Sequence, residues 1–210
     1  MNKNRLNWID SAKGFLILLV VLGHISTING DLKNWIFTFH MPAFFIISGF
    51  LFSYNNDEDK SINRFVIKKI KGIVVPYFWF SLFSLLYTMI SNYIMGNGIK
   101  AVLVCVFETF STLGIYTLWF LPTLFFTYVL AFNIFRFISV KITIVIAFIS
   151  FCISYLLSSQ CDNLSNLGYI IHTIVLVLGR IFIAFPMFVI GYFLVYLYKR
   201  VKYRKKYYFS

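Results

Sequence analysis

Two histidines stand inside apolar runs of this chain. His24 closes "LILLVVLGH" (16–24), and His40 lies in "FHMPAFFIISGF" (39–50). An ionisable side chain in such a run is costly to desolvate, so it marks a candidate site. Imidazole titrates near neutrality, which suits it to take a proton from a hydroxyl and give it back. The plainer reading of His24 is a hydrogen bond between two helices. Lys13 stands eleven residues before His24. Eleven steps of about 100° make about three helical turns, so the two share one face, about 16 Å apart. They cannot touch, but they can bracket a long ligand with an anionic head. Asp10, three residues before Lys13, is placed to pair with it or to cap the helix start.

Other residues also call for a reason. His40 precedes Met41 and Pro42, and proline is comfortable early in a helix, so His40 also reads as a helix-start or interfacial group. Ser48 and Gly49 form a small, close-packing spot. Ser48 is no nucleophile, because no strand–turn–helix elbow surrounds it. Glu108 is the one acid of "KAVLVCVFETFSTLGIY" (100–116). Arg180 either snorkels to the outer interface or meets an anionic group, Glu108 included. Trp119 in "TLWFLPTLFF" (117–126) suits the aromatic belt of a membrane interface. His172 reads as interfacial. Cys105, Cys152 and Cys161 have no metal-type spacing, and their odd number closes no disulfide set. No metal site is expected.

The elements that position these residues follow from composition. The chain has 210 residues, of which 60% are hydrophobic and 12% charged. A soluble domain is about 45–50% apolar and about 25% charged. The apolar runs are continuous, which fits helices and not the alternating strands of a membrane barrel. An all-α polytopic bundle of about six spans is predicted, roughly 12–29, 36–53, 73–95, 117–138, 141–159 and 172–198. The first is kept as a helix and not a signal peptide, since no small-residue cleavage site follows it. Pro76, Pro122 and Pro186 kink or start their spans. Segment 96–116 is too short to cross and reads as a re-entrant or interfacial helix. No soluble domain is expected, only a basic loop (53–72) and a basic tail.

The net charge of +12 raises nucleic acid as a partner, and its distribution argues against that. Sixteen of the 19 basic residues fall in segments that are cytoplasmic if the N-terminus is inside. Lys33 and Lys100 lie in outer loops. This asymmetry predicts both termini in the cytosol, with the lipid bilayer as the partner of the apolar surface.

Four segments together resemble the membrane-bound acyltransferase family 3, closest to its fucose 4-O-acetylase-like sugar O-acetyltransferase branch. They are "RLNWIDSAKGFLILLVVLGH" (5–24), "FHMPAFFIISGFLF" (39–52), "LWFLPTLF" (118–125) and "FPMFVIGYFL" (185–194). The resemblance runs over nearly the whole chain, as one integral membrane domain (1–210). It implies transfer of an acyl group, by default acetyl from acetyl-CoA, onto a hydroxyl of a sugar or cell-surface glycan. No cofactor is bound; acyl-CoA is the donor substrate. The resemblance implies that His24 is the key catalytic residue. Many members carry arginine where this chain has Lys13, a point charge without arginine's bidentate fork.

O-acyl transfer needs a base for the acceptor hydroxyl and donors for the developing oxyanion. His40, Ser48 and Trp119 are the candidate donors. The phosphates of CoA would prefer Lys13 and the Lys68–Lys71 cluster. A bacterial plasma membrane is the expected location. The resemblance also implies about ten spans against about six here, so the chain reads as C-terminally short. Rival readings are an inactive or split fragment completed by a partner chain, and a transporter or flippase of a lipid-linked glycan. The paired halves with broken helices that many transporters show are not visible.

Overall fold

The computed structural model describes residues 6–25, 29–95, 100–111, 118–165 and 168–208. Parts of the predicted segments (26–28, 96–99, 112–117), Lys3 and Arg5 lie outside the described residues. So do the side chains of Cys161, Lys202, Arg204, Lys205 and Lys206. Every regular element described is helical: α1 Asn7–Gly23, α2 Gly30–Tyr54, α3 Ile62–Lys69, α4 Val75–Met95, α5 Lys100–Phe110, α6 Phe120–Phe137, α7 Val140–Ser165 and α8 Tyr169–Tyr208. The all-α polytopic class is as predicted. Among the described residues five helices are long and apolar enough to cross a membrane: Gly30–Tyr54, Ile62–Met95, Phe120–Phe137, Val140–Gln160 and Tyr169–Arg200.

The first predicted span is the exception. Its helix has 17 residues, about 25 Å against the roughly 30 Å hydrocarbon core. It starts earlier than predicted and stops at Gly23, so His24 and Ile25 do not extend it. The second span also starts early, at Gly30 and not 36. The Asn29 side chain accepts from the Asp31 N–H at 2.8 Å, an N-cap that the polar "STINGD" stretch obscured. Pro42 therefore lies well inside α2, and the helix-start reading of His40 is corrected.

The third predicted span is longer than expected, because most of the basic loop is helical. Residues Ile62–Met95 form one helix interrupted by a π turn at Ile70–Val74. Pro76 stands two residues after it. A proline lacks an N–H and its ring clashes with the carbonyl four residues back, here that of Gly72, and a wider turn absorbs both. Pro122 falls in the first turn of α6, and Pro186 lies inside α8. Segment 96–116 contains the 11-residue α5, too short to span.

The chain divides into two compact units, 1–59 with 185–210, and 60–184. In the first, α1 runs antiparallel to α2. Leu16, Leu19 and Ile36 bury one end of the pair, and Ile9, Phe50 and Val195 the other. Helix α2 crosses α8 with backbone touching backbone. A Cβ added at Gly49 would strike the Phe188 carbonyl, and one at Gly191 would strike the Ile46 carbonyl. Small residues allow such approach in a bilayer, where dispersion and not water drives helix association. In the second unit, Phe65 stacks on Phe132 at 4.6 Å. Tyr77 donates to the Thr109 carbonyl at 2.8 Å, and Ser150 and Ser154 donate to the Phe182 and Gly179 carbonyls at 2.8 and 3.0 Å.

Candidate active site

The residues best arranged for chemistry lie in the first unit, where α1 ends against the start of α2. An α-helix leaves its last carbonyls unpaired. The His24 N–H turns back to the Val21 carbonyl at 3.1 Å, so it leaves the Val20 carbonyl, its regular helical acceptor. The His24 ring supplies the replacement: Nδ1 lies 2.7 Å from the Val20 oxygen. A carbonyl only accepts, so Nδ1 carries the hydrogen and Nε2 carries the lone pair. The ring is exposed. His24 thus caps its own helix and holds one tautomer with Nε2 as the basic atom.

His40 shows the same bond in a different setting. Its Nδ1 lies 2.6 Å from the Ile36 carbonyl, and its side chain is 2% exposed. Its Nε2 is buried and has no hydrogen-bond partner among the described residues. The neutral ring therefore accepts at Nε2, and becomes a donor there only when protonated.

Phe37 stands between the two histidines. Its ring centroid lies 5.5 Å from that of His24 and 5.4 Å from that of His40. The close approach is permitted by Gly23, where an added Cβ would come within 2.9 Å of Phe37 Cε1. Lys33 adds a cation, its Nζ 5.8 Å from the Phe37 centroid. Neither Phe37 nor Lys33 stands out in the sequence. Phe37 is one of 26 phenylalanines, and its only signal is its place three residues before His40, on the same helix face. Lys33 read as an ordinary outer-loop cation.

At the other end of α1, Lys13 is half-buried, and the Asp10 carboxylate is close enough to act on its charge. Asp10 occupies the first turn, while Leu6 is the N-cap and makes no side-chain capping bond. Ser48 is buried beside the Gly49 crossing. The carboxyl of Glu58, just beyond α2, accepts from the Tyr192 hydroxyl at 3.0 Å. Burial, aided by the Asp59 and Asp57 charges, pushes that carboxyl above the usual carboxylate range despite hydrogen bonds from its backbone and Tyr192. This pairing across 134 residues had no local signal.

The remaining predicted residues belong to the second unit. The Arg180 guanidinium lies over the Trp119 ring, 4.8 Å from its centroid. Glu108 lies within electrostatic reach of Tyr77 and Tyr169. Lys69 packs over Tyr128 at 3.3 Å, while Lys68 and Lys71 are exposed. No metal-type cluster of His, Cys, Asp and Glu occurs among the described residues.

The fold defines the class of polytopic all-α membrane proteins, with five candidate crossing helices among the described residues. Residues 6–210 match the acyltransferase family 3, described as an acyltransferase domain. The chain belongs to that family of membrane acyltransferases. Neither the curated proteins nor the solved structures yield a match.

Proposed function

We propose that this chain is a bacterial plasma-membrane O-acyltransferase of the fucose 4-O-acetylase-like kind. It moves an acyl group, by default acetyl, from acyl-CoA to a hydroxyl of a sugar or cell-surface glycan. The observation that carries this reading is the fixed tautomer of His24. Nε2 takes the proton of the acceptor hydroxyl as its oxygen attacks the thioester carbonyl. The tetrahedral intermediate collapses, the C–S bond breaks, and the imidazolium returns the proton to the CoA thiolate. An O-acyl ester and free CoA result. Lys33 supplies positive charge near the developing oxyanion, with the Ser48 hydroxyl, in the same unit, as a further candidate donor. Lys13, with Asp10 beside it, attracts the anionic end of the donor.

The test supplies acyl-labelled acetyl-CoA and a panel of glycan acceptors to the purified full chain in lipid. Label should enter the glycan in a form released by mild alkali, as an O-ester is. Label that stays after alkali, or unmodified glycan carried across vesicle membranes, would replace this reading with N-acylation or with transport.

A further inference from the structure

At the Lys13 end of the first unit, rings from three helices interlock. The Trp8 centroid lies 5.4 Å from that of Phe50 and 6.0 Å from that of Tyr198. Phe50 lies 5.6 Å from Tyr198 and 6.1 Å from Tyr54. Phe50 is 5% exposed, whereas Trp8 keeps 50% of its surface exposed. The cluster therefore holds an indole in place without covering it. A fixed, half-bare aromatic ring is a surface on which a planar base can stack.

The charge and the order of residues around it suit one kind of base. Lys199 and Arg200 follow Tyr198 directly on α8, and both are exposed. The acidic turn after α2 is tied to another face of that helix. Its Glu58 accepts from Tyr192, six residues before Tyr198 and about 120° round the helix from it. Along α1 the levels run His24, Lys13, Trp8. Trp8 stands 16 residues before His24 and five before Lys13, about 24 Å and about 7.5 Å along the axis. Acyl-CoA has the same order: thioester and pantetheine arm, then diphosphate, then adenine with a phosphorylated ribose. Trp8 lies about 140° round α1 from Lys13, so the ligand turns between them, at the freely rotating diphosphate.

Resting on the proposed acyl-CoA donor, we infer that Trp8, backed by Phe50 and Tyr198, stacks the adenine of that donor, with Lys199 and Arg200 beside its ribose phosphate. The plainer alternative is a tryptophan that only anchors α1 at the membrane interface. Isothermal titration of the full chain in detergent tests this with coenzyme A, dephospho-coenzyme A and phosphopantetheine, which lacks the nucleotide. Wild type should bind coenzyme A at least about tenfold more tightly than phosphopantetheine. Trp8→Leu should lose that difference and still bind phosphopantetheine as wild type does, and Trp8→Phe should keep most of it. Trp79→Leu, at an exposed tryptophan of the second unit, should change nothing. If Trp8→Leu misfolds, the double variant Lys199→Gln, Arg200→Gln decides, because both side chains are exposed. Wild type should prefer coenzyme A to dephospho-coenzyme A by about threefold, and the double variant should not. A nucleotide preference absent from wild type, or kept by a folded Trp8→Leu, overturns the site. So does equal weakening of both ligands, which marks lost packing, or a phosphate preference kept by the double variant. The full set of preferences in a chain that transfers no acyl group would sink the transfer reading and uphold this site.

Discussion

At the scale of single residues, the candidate site rests on which nitrogen of each histidine is spoken for. His24 and His40 make the same bond to a backbone carbonyl, at 2.7 and 2.6 Å, yet one ring is exposed and the other buried. The exposed ring is the one that can meet a substrate. Phe37 touches both, so Phe37→Ala should loosen the His24 ring and lower turnover on the order of ten- to a hundredfold. KM should stay near its wild-type value, and Phe37→Tyr should restore most of the rate; steady-state kinetics reads both. The two histidines were legible as candidates, because an ionisable ring in an apolar run stands out. Phe37 was not, because one more aromatic in an apolar run carries no mark. Glu58 gives a pH prediction. Its carboxyl binds a proton more tightly in the folded state than in the unfolded one. Stability should therefore fall as pH rises from the ordinary glutamate value near about 4 towards the raised value. Thermal melts in detergent should show that slope in wild type and a flatter one in Glu58→Gln.

At the scale of elements, the unit around His24 depends on the crossing of α2 and α8. The Gly49 and Gly191 contacts leave no room for a Cβ against a neighbouring carbonyl. Gly191→Ala should cost about 1–3 kcal/mol by overpacking, seen as a lower melting temperature. Gly14→Ala, with nothing within 4 Å of the added atom, should leave stability unchanged or raise it. The apolar spans were legible as helices, since a run of about 20 apolar residues in a bilayer has little choice but helix, while the helical course of the basic loop was not. Boundaries were less so. The start of α2 is set by one side-chain bond from Asn29, and the joining of α3 to α4 by a π turn ahead of Pro76. Both are local devices that hydropathy averages away.

At the scale of the whole molecule, the number of crossings decides which side each end occupies. Five crossings put the two termini on opposite sides, whereas the charge asymmetry requires both inside. The two agree if α1 crosses as a sixth helix, with the bilayer thinning locally around its about 25 Å. A reporter that fluoresces only in the cytosol should light up at either end of the chain, and a periplasmic phosphatase reporter fused at either end should stay silent. The roles of Trp119, Arg180 and Glu108 were the least legible part. Their partners are far apart in sequence, and Arg180 reads the same whether it snorkels, pairs or lines a cavity.

The most direct measurement is the rate of acyl transfer from acyl-CoA to a glycan hydroxyl by wild type, His24→Ala and Lys13→Ala in equal amounts in the same membranes. A base removed from the reacting hydroxyl should lower the His24→Ala rate by about 10²–10⁴-fold. Lys13→Ala should chiefly raise the acyl-CoA concentration needed. Unchanged transfer by a folded His24→Ala protein would contradict the role of that imidazole, and with it the proposed mechanism.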